Sequence, residues 1–315
     1  MPSWQAQCIK LIVRFYIRRR KWGNDERAFV RRARHVFGAP RFYQWFQSYA
    51  VDVSPIHDHR IEGEWIKPKH PDEGVILYLH GGGYISCSAA THRPITAALA
   101  RLSNLRVFAL NYRLAPEFHF PAALDDAVAA YQWLIEQGIS ARTISLAGDS
   151  AGGGLVLALL LRARDSGLPL PACGVCFSAW TDLAVTGESI RTNDGRCAMF
   201  RTENIAEFAA AYLGGKSPWD PYASPLHADV RGLPPLLLQV ASTELLLDDS
   251  RRLHDKVQQA GGVSKLEIYN NLFHGWQMTD GIVPEARASL STAATFIRDR
   301  LSAQRPKLSD RPGGT

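Results

Sequence analysis

A serine set between two glycines, in the Gly-Asp-Ser-Ala-Gly stretch of residues 148–152, constrains the fold of this chain more than any other feature. The apolar run of residues 143–147 before it predicts a buried strand, and the Leu- and Ala-rich residues 153–164 after it predict a helix. Only glycine fits the flanks of so tight a strand-to-helix turn, and the turn strains the serine backbone. We therefore expect the Ser150 hydroxyl to stand clear of a sheet, above the N-terminus of a helix.

Short apolar runs alternate with helical patterns along most of the chain. The predicted strands are residues 75–79, 106–110, 143–147, 173–177, 236–240 and 265–269. The predicted helices are residues 93–102, 122–136, 153–164, 249–260 and 285–301. This alternation predicts an α/β fold with a mostly parallel sheet covered by helices on both faces. Such sheets hold their sites beyond the carboxyl ends of the strands.

Two segments break the alternation and predict a small helical cap over the strand-end face. Residues 1–48 are aromatic and basic, and residues 187–222 are helix-like and irregular. The core is then expected in two parts, residues 49–186 and residues 223–304. The tail, residues 305–315, holds proline, glycine and charge and is predicted to be disordered.

The net charge of +6 is concentrated near the N-terminus, in a segment that also contains apolar residues. No nucleic-acid motif accompanies these basic residues, so we expect no nucleic-acid partner. The simplest interpretation is a solvated basic helix face, and weak contact of the N-terminus with a membrane surface is the alternative. The segment around Leu11 is interrupted by Arg14, which argues against a signal peptide or a membrane span.

The five cysteines form no regular framework. Cys173 and Cys176 are three residues apart in a predicted strand, so their side chains should point to opposite faces of the sheet. Buried structural thiols are therefore expected, not a redox pair. A cytoplasmic location follows by default.

Serine is a weak nucleophile unless a histidine removes its proton and a carboxylate orients that histidine. His274 follows a predicted strand by a short loop and precedes Gly275, which makes it the best candidate base among ten histidines. His80 precedes three glycines and is interpreted as structural.

The carboxylate has two candidates. Glu244 lies in the loop just past the strand of residues 236–240, where its side chain could reach the histidine. Asp248 stands where a helix begins, a position that suits capping and the helix dipole. Glu244 is favoured, and Asp248 stays open as the alternative acid.

Three consecutive glycines after His80 let the backbone approach a ligand closely. We expect the amides of Gly82, Gly83 and Ala151 to form an oxyanion hole, a set of donors fixed before negative charge develops. A Walker-type phosphate loop would need a Gly-Lys-Ser/Thr sequence, and none follows.

Taken together, these motifs resemble the bacterial hormone-sensitive-lipase-like esterases of the α/β-hydrolase superfamily. The resemblance covers about residues 65–300 and rests on HGGGY at 80–84, NYRLAPE at 111–117, FPAALDDA at 120–127, GDSAGGGL at 148–155 and FHGW at 273–276. The family commonly has Asp-Pro-Leu-x-Asp-Asp at its acid. Here Glu244 and Leu245 replace the first aspartate and the proline.

The resemblance implies a serine carboxylesterase acting on a small-molecule ester of short to medium acyl chain, with no metal or organic cofactor. It implies Ser150 as nucleophile and His274 as base, with an acyl-enzyme intermediate. Arg113, Glu117 and Asp125 are expected to form a buried charge network below the site. The residues expected to line the substrate pocket are Tyr84, Trp180, Met199, Phe200 and Tyr212.

Three other functions are compatible with these motifs: a lactone hydrolase, an interfacial lipase and a non-catalytic small-molecule receptor. Receptors of this fold lack the triad histidine, so His274 argues against the last of them. The chain is expected to be a monomer or a homodimer.

Overall fold

The computed structural model describes residues 1–20, 22, 25–38, 51–58 and 61–304, and within them an eight-stranded sheet forms the centre of the protein. The strands are β1 (Asp52–His57), β2 (Glu62–Lys67), β3 (Val75–Leu79), β4 (Arg106–Leu110), β5 (Ile144–Asp149), β6 (Cys173–Phe177), β7 (Leu236–Ala241) and β8 (Ser264–Tyr269). Their order across the sheet is β1-β2-β4-β3-β5-β6-β7-β8. β1 and β2 run antiparallel to their neighbours, whereas the strands from β4 to β8 are parallel.

The helices lie on both faces of the sheet and beyond its carboxyl end. They are α1 (Trp4–Val13), which continues into a π-helical turn (Arg14–Arg18), α2 (Glu26–Phe37), α3 (Arg93–Ser103), α4 (Ala122–Glu136), α5 (Ala151–Asp165), α6 (Ser189–Thr192), α7 (Thr202–Leu213), α8 (Leu247–Gln259) and α9 (Pro284–Ala303). α4 packs against α5, and α3 packs against α9. In the described part of the chain, no helix combines the length and apolar character that a membrane crossing requires.

The predicted α/β class and the six parallel strands are confirmed, with ends that shift by one or two residues. The sequence pattern did not predict β1 and β2. β1 contains Pro55 and is polar and partly exposed along its length, and β2 contains the charged residues Glu62, Glu64 and Lys67. β5 runs two residues further than predicted, so Asp149 is still part of the sheet when the turn at Ser150 begins.

The parallel strands are buried on both faces because helices cover both sides of the sheet. Alternate side chains enter two different apolar clusters, as Leu146 and Ala147 of β5 do. Cys176 belongs to the first cluster and Cys173 to the second, and both are free thiols. The prediction that these cysteines lie on opposite faces is therefore confirmed.

The N-terminal helices contact the 187–222 segment through an aromatic cluster. The ring of Phe208 on α7 lies 4.8 Å from Phe29 on α2 and 6.2 Å from Trp22. Phe200 lies 5.9 Å from Phe208. The division into core and cap remains a proposal. Residues 39–48 of the first cap segment and the tail, residues 305–315, lie outside the described residues.

Leu146 and Ile268 provide a test of where the sheet derives its stability. Leu146 is fully buried on central β5, and Ile268 is 41% exposed on edge strand β8. Leu146→Ala should lower the free energy of unfolding by about 2–5 kcal/mol, because it leaves a cavity in the core. Ile268→Ala should cost about 0.5 kcal/mol. Urea unfolding followed by circular dichroism measures both, and similar losses would contradict the layered core described above.

Candidate functional site

Ser150 occupies a strained turn between β5 and α5. Its φ of +53° lies in the left-handed region that residues with a Cβ rarely adopt. The Ser150 amide donates to the carbonyl of Phe177 over 2.8 Å, which holds the turn against β6. A Cβ at Gly152 would lie 2.0 Å from the carbonyl oxygen of Leu79. A Cβ at Gly148 would lie 2.5 Å from the carbonyl oxygen of Gly152. The glycines on both sides of the serine are therefore required by close backbone contact.

The carboxylate of Asp149 joins the turn to the glycine loop that follows β3. Its Oδ1 accepts hydrogen bonds from the Gly81 amide (2.9 Å) and the Tyr78 hydroxyl (2.6 Å), and its Oδ2 lies 3.2 Å from His92 Nε2. Burial alone would raise the pKa of Asp149, but the charge of His92 and the hydrogen bonds from His92 and Tyr78 outweigh it and lower that pKa. Asp149 therefore anchors the turn from inside the sheet.

The glycine loop forms part of the wall of the cavity beside Ser150. Gly82 and Gly83 have φ values of +108° and +64°, and both line that cavity. A Cβ at Gly82 would lie 2.3 Å from the Ser86 carbonyl oxygen. Among the described residues, the amides of Gly82, Gly83 and Ala151 find no acceptor. Ala151 begins α5, where the first N–H groups have no partner within the helix.

His80 supports this loop from below. Its ring stacks on Tyr112 with 4.2 Å between centroids, and its Nδ1 donates to the Gly81 carbonyl over 2.7 Å. Burial lowers the pKa of His80 to about 3, so the ring is neutral at ordinary pH. These contacts are those of a structural residue.

Glu244 and His274 form a buried pair on the loops that follow β7 and β8. His274 Nδ1 lies 2.5 Å from Glu244 Oε2. The other carboxylate oxygen, Oε1, accepts hydrogen bonds from the Ser178 hydroxyl and the Ala241 amide, each over 2.7 Å. Both oxygens are therefore held in place, and the bond to Nδ1 leaves Nε2 as the ring nitrogen available to the cavity that His274 lines.

Asp248 is directed elsewhere. Its Oδ2 accepts a hydrogen bond from the Ser189 amide over 2.7 Å, and its Oδ1 lies 3.8 Å from Arg251. It stands in the first turn of α8, where an acidic side chain interacts favourably with the helix dipole. The structure thus brings Glu244, and not Asp248, to His274.

An apolar cavity of about 220 Å³ opens beside Ser150 and His274. Of the five predicted pocket residues, Trp180, Met199 and Phe200 line it. The expectation for Tyr84 and Tyr212 is wrong, because they are not among its lining residues. Their rings stack on each other with 3.8 Å between centroids, and both are buried in the core.

Sequence reasoning missed several apolar lining residues that come from helices and loops outside the motifs. They are Ile9, Val13, Phe37, Ile205, Phe208 and Leu246. Ile205 and Phe208 are three residues apart on α7, a spacing that places them on one helix face. The spacing could have indicated an apolar helix face, but it does not indicate whether that face packs against the cavity.

The expected buried network of Arg113, Glu117 and Asp125 is also wrong. Arg113 pairs with Asp126 over 2.7 Å, and Glu117 pairs with Arg34 over 2.6 Å. Both pairs are substantially exposed, as is Asp125. The side chains of Arg113, Glu117 and Asp125 instead lie on the surface, where the first two reach partners on α4 and α2. In the described part of the chain, no three His, Cys, Asp or Glu side chains are grouped to hold a metal ion.

Comparison with known proteins places this architecture among characterised hydrolases. A family model described as alpha/beta hydrolase fold matches residues 76–278. An acetyl-hydrolase of Streptomyces hygroscopicus is 45% identical over 235 residues, which are 75% of this chain and 79% of that protein. An esterase of Acinetobacter venetianus is 36% identical over 251 residues, covering 79% of this chain and 83% of that protein.

A solved structure extends the similarity to nearly the whole chain. The crystal structure of an esterase from the bacterial hormone-sensitive lipase family superimposes with a TM-score of 0.87 and 39% sequence identity. The match covers 96% of this chain and 99% of that one.

Substitution of Gly83 tests whether the glycine loop needs space as well as a positive φ. A Cβ at Gly83 would lie 2.2 Å from the Phe208 ring, whereas one at Gly138, with a similar φ of +80°, would contact nothing within 4 Å. Gly138→Ala should cost about 1 kcal/mol of unfolding free energy from backbone strain alone and leave esterase activity intact. Gly83→Ala should cost more stability and most of the activity. Equal effects of the two substitutions, measured by urea unfolding and ester hydrolysis, would contradict a spatial requirement at Gly83.

Proposed function

We propose that this chain, which belongs to the α/β-hydrolase family and within it to the bacterial hormone-sensitive-lipase-like esterases, uses a Ser150–His274–Glu244 triad. The protein is a carboxylic ester hydrolase whose substrate is a small-molecule ester. The observation that supports the triad best is the buried Glu244–His274 pair, which lies beside the same cavity as the strained Ser150.

In the first step, Ser150 Oγ attacks the ester carbonyl carbon while His274 Nε2 takes the hydroxyl proton. Glu244 keeps the Nδ1 proton in place and stabilises the imidazolium that forms. His274 then gives its proton to the leaving alcohol as the carbon–oxygen bond breaks, which leaves an acyl group on Ser150. A water molecule, deprotonated by His274, then attacks the acyl carbon. The bond from this carbon to Ser150 Oγ breaks, the proton on His274 returns to Oγ, and the carboxylic acid is released.

The negative oxygen of each tetrahedral intermediate would be held by the amides of Gly82, Gly83 and Ala151. They have no acceptor among the described residues, which supports this role, because donors without partners are available to a developing charge. Their fixed backbone also removes the cost of reorganisation during the reaction.

The cavity favours esters with short to medium acyl chains. Its volume of about 220 Å³ is below the 300–1,000 Å³ of pockets that enclose drug-sized ligands. Its walls are largely aliphatic and aromatic, which suits an acyl chain. The histidine and aspartate side chains that line it are paired: His92 with Asp149, and His274 with Glu244. The acetyl-hydrolase among the relatives agrees with a short acyl group.

The central test of the triad replaces each candidate acid by its amide. Glu244→Gln should lower kcat for 4-nitrophenyl butyrate by about ten-thousand-fold, because the amide no longer holds the correct imidazole tautomer. Asp248→Asn is the matched control and should leave kcat unchanged. Ser150→Ala sets the floor, with a loss of roughly a million-fold.

The two amide variants distinguish the candidate acids directly. A large loss in Asp248→Asn with an active Glu244→Gln would assign the acid to Asp248 and contradict this proposal. Circular dichroism of each variant checks that the fold is intact.

A further inference from the structure

The outer face of α1 is apolar although it is exposed. The exposed fractions run from 54% at Ile12 to 72% at Trp4. Leu11, Phe15 and Tyr16 lie between these values, and their spacing places them on one stripe that continues into the π-helical turn. This stripe, defined by Trp4, Leu11, Ile12, Phe15 and Tyr16, is called the outer apolar stripe below.

Hydrogen bonds hold α1 and the turn that follows it against the rest of the protein, so the exposure of the stripe does not arise from a detached helix. Ser3 bonds the carboxylate of Glu285, with 2.7 Å between its hydroxyl and Oε2. Lys10 Nζ bonds the carbonyl and side chain of Asn271, and Arg14 bonds the carbonyl of Gly195 over 3.0 Å.

The opposite face of α1 already packs against the protein. Ala6 is buried, and Ile9 and Val13 line the cavity. The helix is therefore apolar on two faces, and only one of them is used by the fold. Exposed apolar patches of this kind mark interaction sites.

A basic surface adjoins the stripe. On α2, Phe29 and Val30 are buried, whereas Arg27, Arg31 and Arg32 are exposed on the outer side. Residues 1–24 contain no aspartate or glutamate, and the acidic residues of this region are Asp25 and Glu26 at the start of α2. The positive charge therefore dominates the surface next to the stripe.

Two contacts connect the basic surface to the stripe. Arg20 lies just past the π-helical turn and lines a shallow hollow together with Arg31, Arg32 and His35 of α2. The guanidinium of Arg19 lies over the Phe15 ring, 5.2 Å from its centroid. Apolar and basic groups thus form one continuous surface.

We propose that this surface docks the protein on an anionic lipid surface. Aromatic and aliphatic side chains enter the boundary between headgroups and acyl chains, while arginines interact with anionic headgroups. The outer apolar stripe supplies the apolar side chains, and the adjoining basic surface supplies the arginines. Because Ile9 and Val13 line the cavity, docking would place the cavity about 10 Å, one helix diameter, behind the lipid surface.

Vesicle co-sedimentation of the full chain tests this directly. Phosphatidylcholine vesicles should bind little protein. Vesicles that also contain phosphatidylglycerol should bind it, and high salt should weaken this binding.

Cys8 provides a second readout, because it is the exposed cysteine of the five. Burial raises the pKa of the Cys87 thiol to about 12, so alkylation should select Cys8. An environment-sensitive fluorophore on Cys8 should brighten only with the anionic vesicles.

Paired variants separate the apolar and the electrostatic contribution. Leu11→Gln with Phe15→Gln should lower partitioning by at least roughly tenfold through lost apolar burial. Arg27→Gln with Arg31→Gln should lower it roughly thirtyfold on anionic vesicles. Trp219→Gln with Val263→Gln removes two exposed apolar side chains elsewhere and should change nothing. Hydrolysis of a water-soluble ester, which needs none of these residues, should be unaffected in all three.

Three results would overturn the proposal. The first is the absence of binding to anionic vesicles, and the second is equal binding by wild type and by the stripe or arginine variants. The third is a wild-type dimer that the Leu11→Gln and Phe15→Gln pair converts to monomer in sedimentation velocity, which would assign the stripe to a second copy of the chain. A protein that hydrolyses esters but fails these tests would leave the proposed triad intact.

Discussion

The carboxylate of Asp149 is the contact on which the geometry of the site depends. It accepts hydrogen bonds from the Gly81 amide and the Tyr78 hydroxyl and pairs with His92, so one buried group connects β3, β5 and the start of α3. A Cβ at Gly81 would lie 2.3 Å from Oδ2, which explains why the loop must bring a glycine to this point. The glycine loop and the serine turn are thereby held in one fixed relation before any substrate arrives.

The second half of the site follows from the order of parallel strands. β6, β7 and β8 are neighbours, so the loops after them meet at one edge. Ser178 follows β6, Glu244 follows β7 and His274 follows β8, and all three are connected through the Glu244 carboxylate. The extra methylene of glutamate is accommodated because Ala241 and Ser178 hold Oε1, leaving Oε2 for the histidine.

The sequence could predict the features that depend on local pattern. The parallel strands, the turn at Ser150 and the loop position of Glu244 all follow from apolar runs, glycine spacing and distance from a strand end. Features that depend on tertiary packing could not be predicted in this way. Tyr84 and Tyr212 are aromatic residues in motif or cap segments, yet each ring packs on the other instead of facing the cavity. Arg113 pairs with Asp126 and not with Asp125. Which of these two adjacent carboxylates faces Arg113 depends on the rotation of α4 about its axis, and tertiary packing sets that rotation.

The central claim is that Ser150, oriented by the buried Glu244–His274 pair, is the nucleophile of this esterase. Peptide mapping by mass spectrometry after reaction with a fluorophosphonate tests it most directly, because the reagent forms a stable adduct with an activated serine. One adduct per chain, on the peptide that contains Ser150, is predicted, with slower labelling in Glu244→Gln and none in Ser150→Ala. An adduct on another residue, or equal labelling of wild type and Ser150→Ala, would contradict the account.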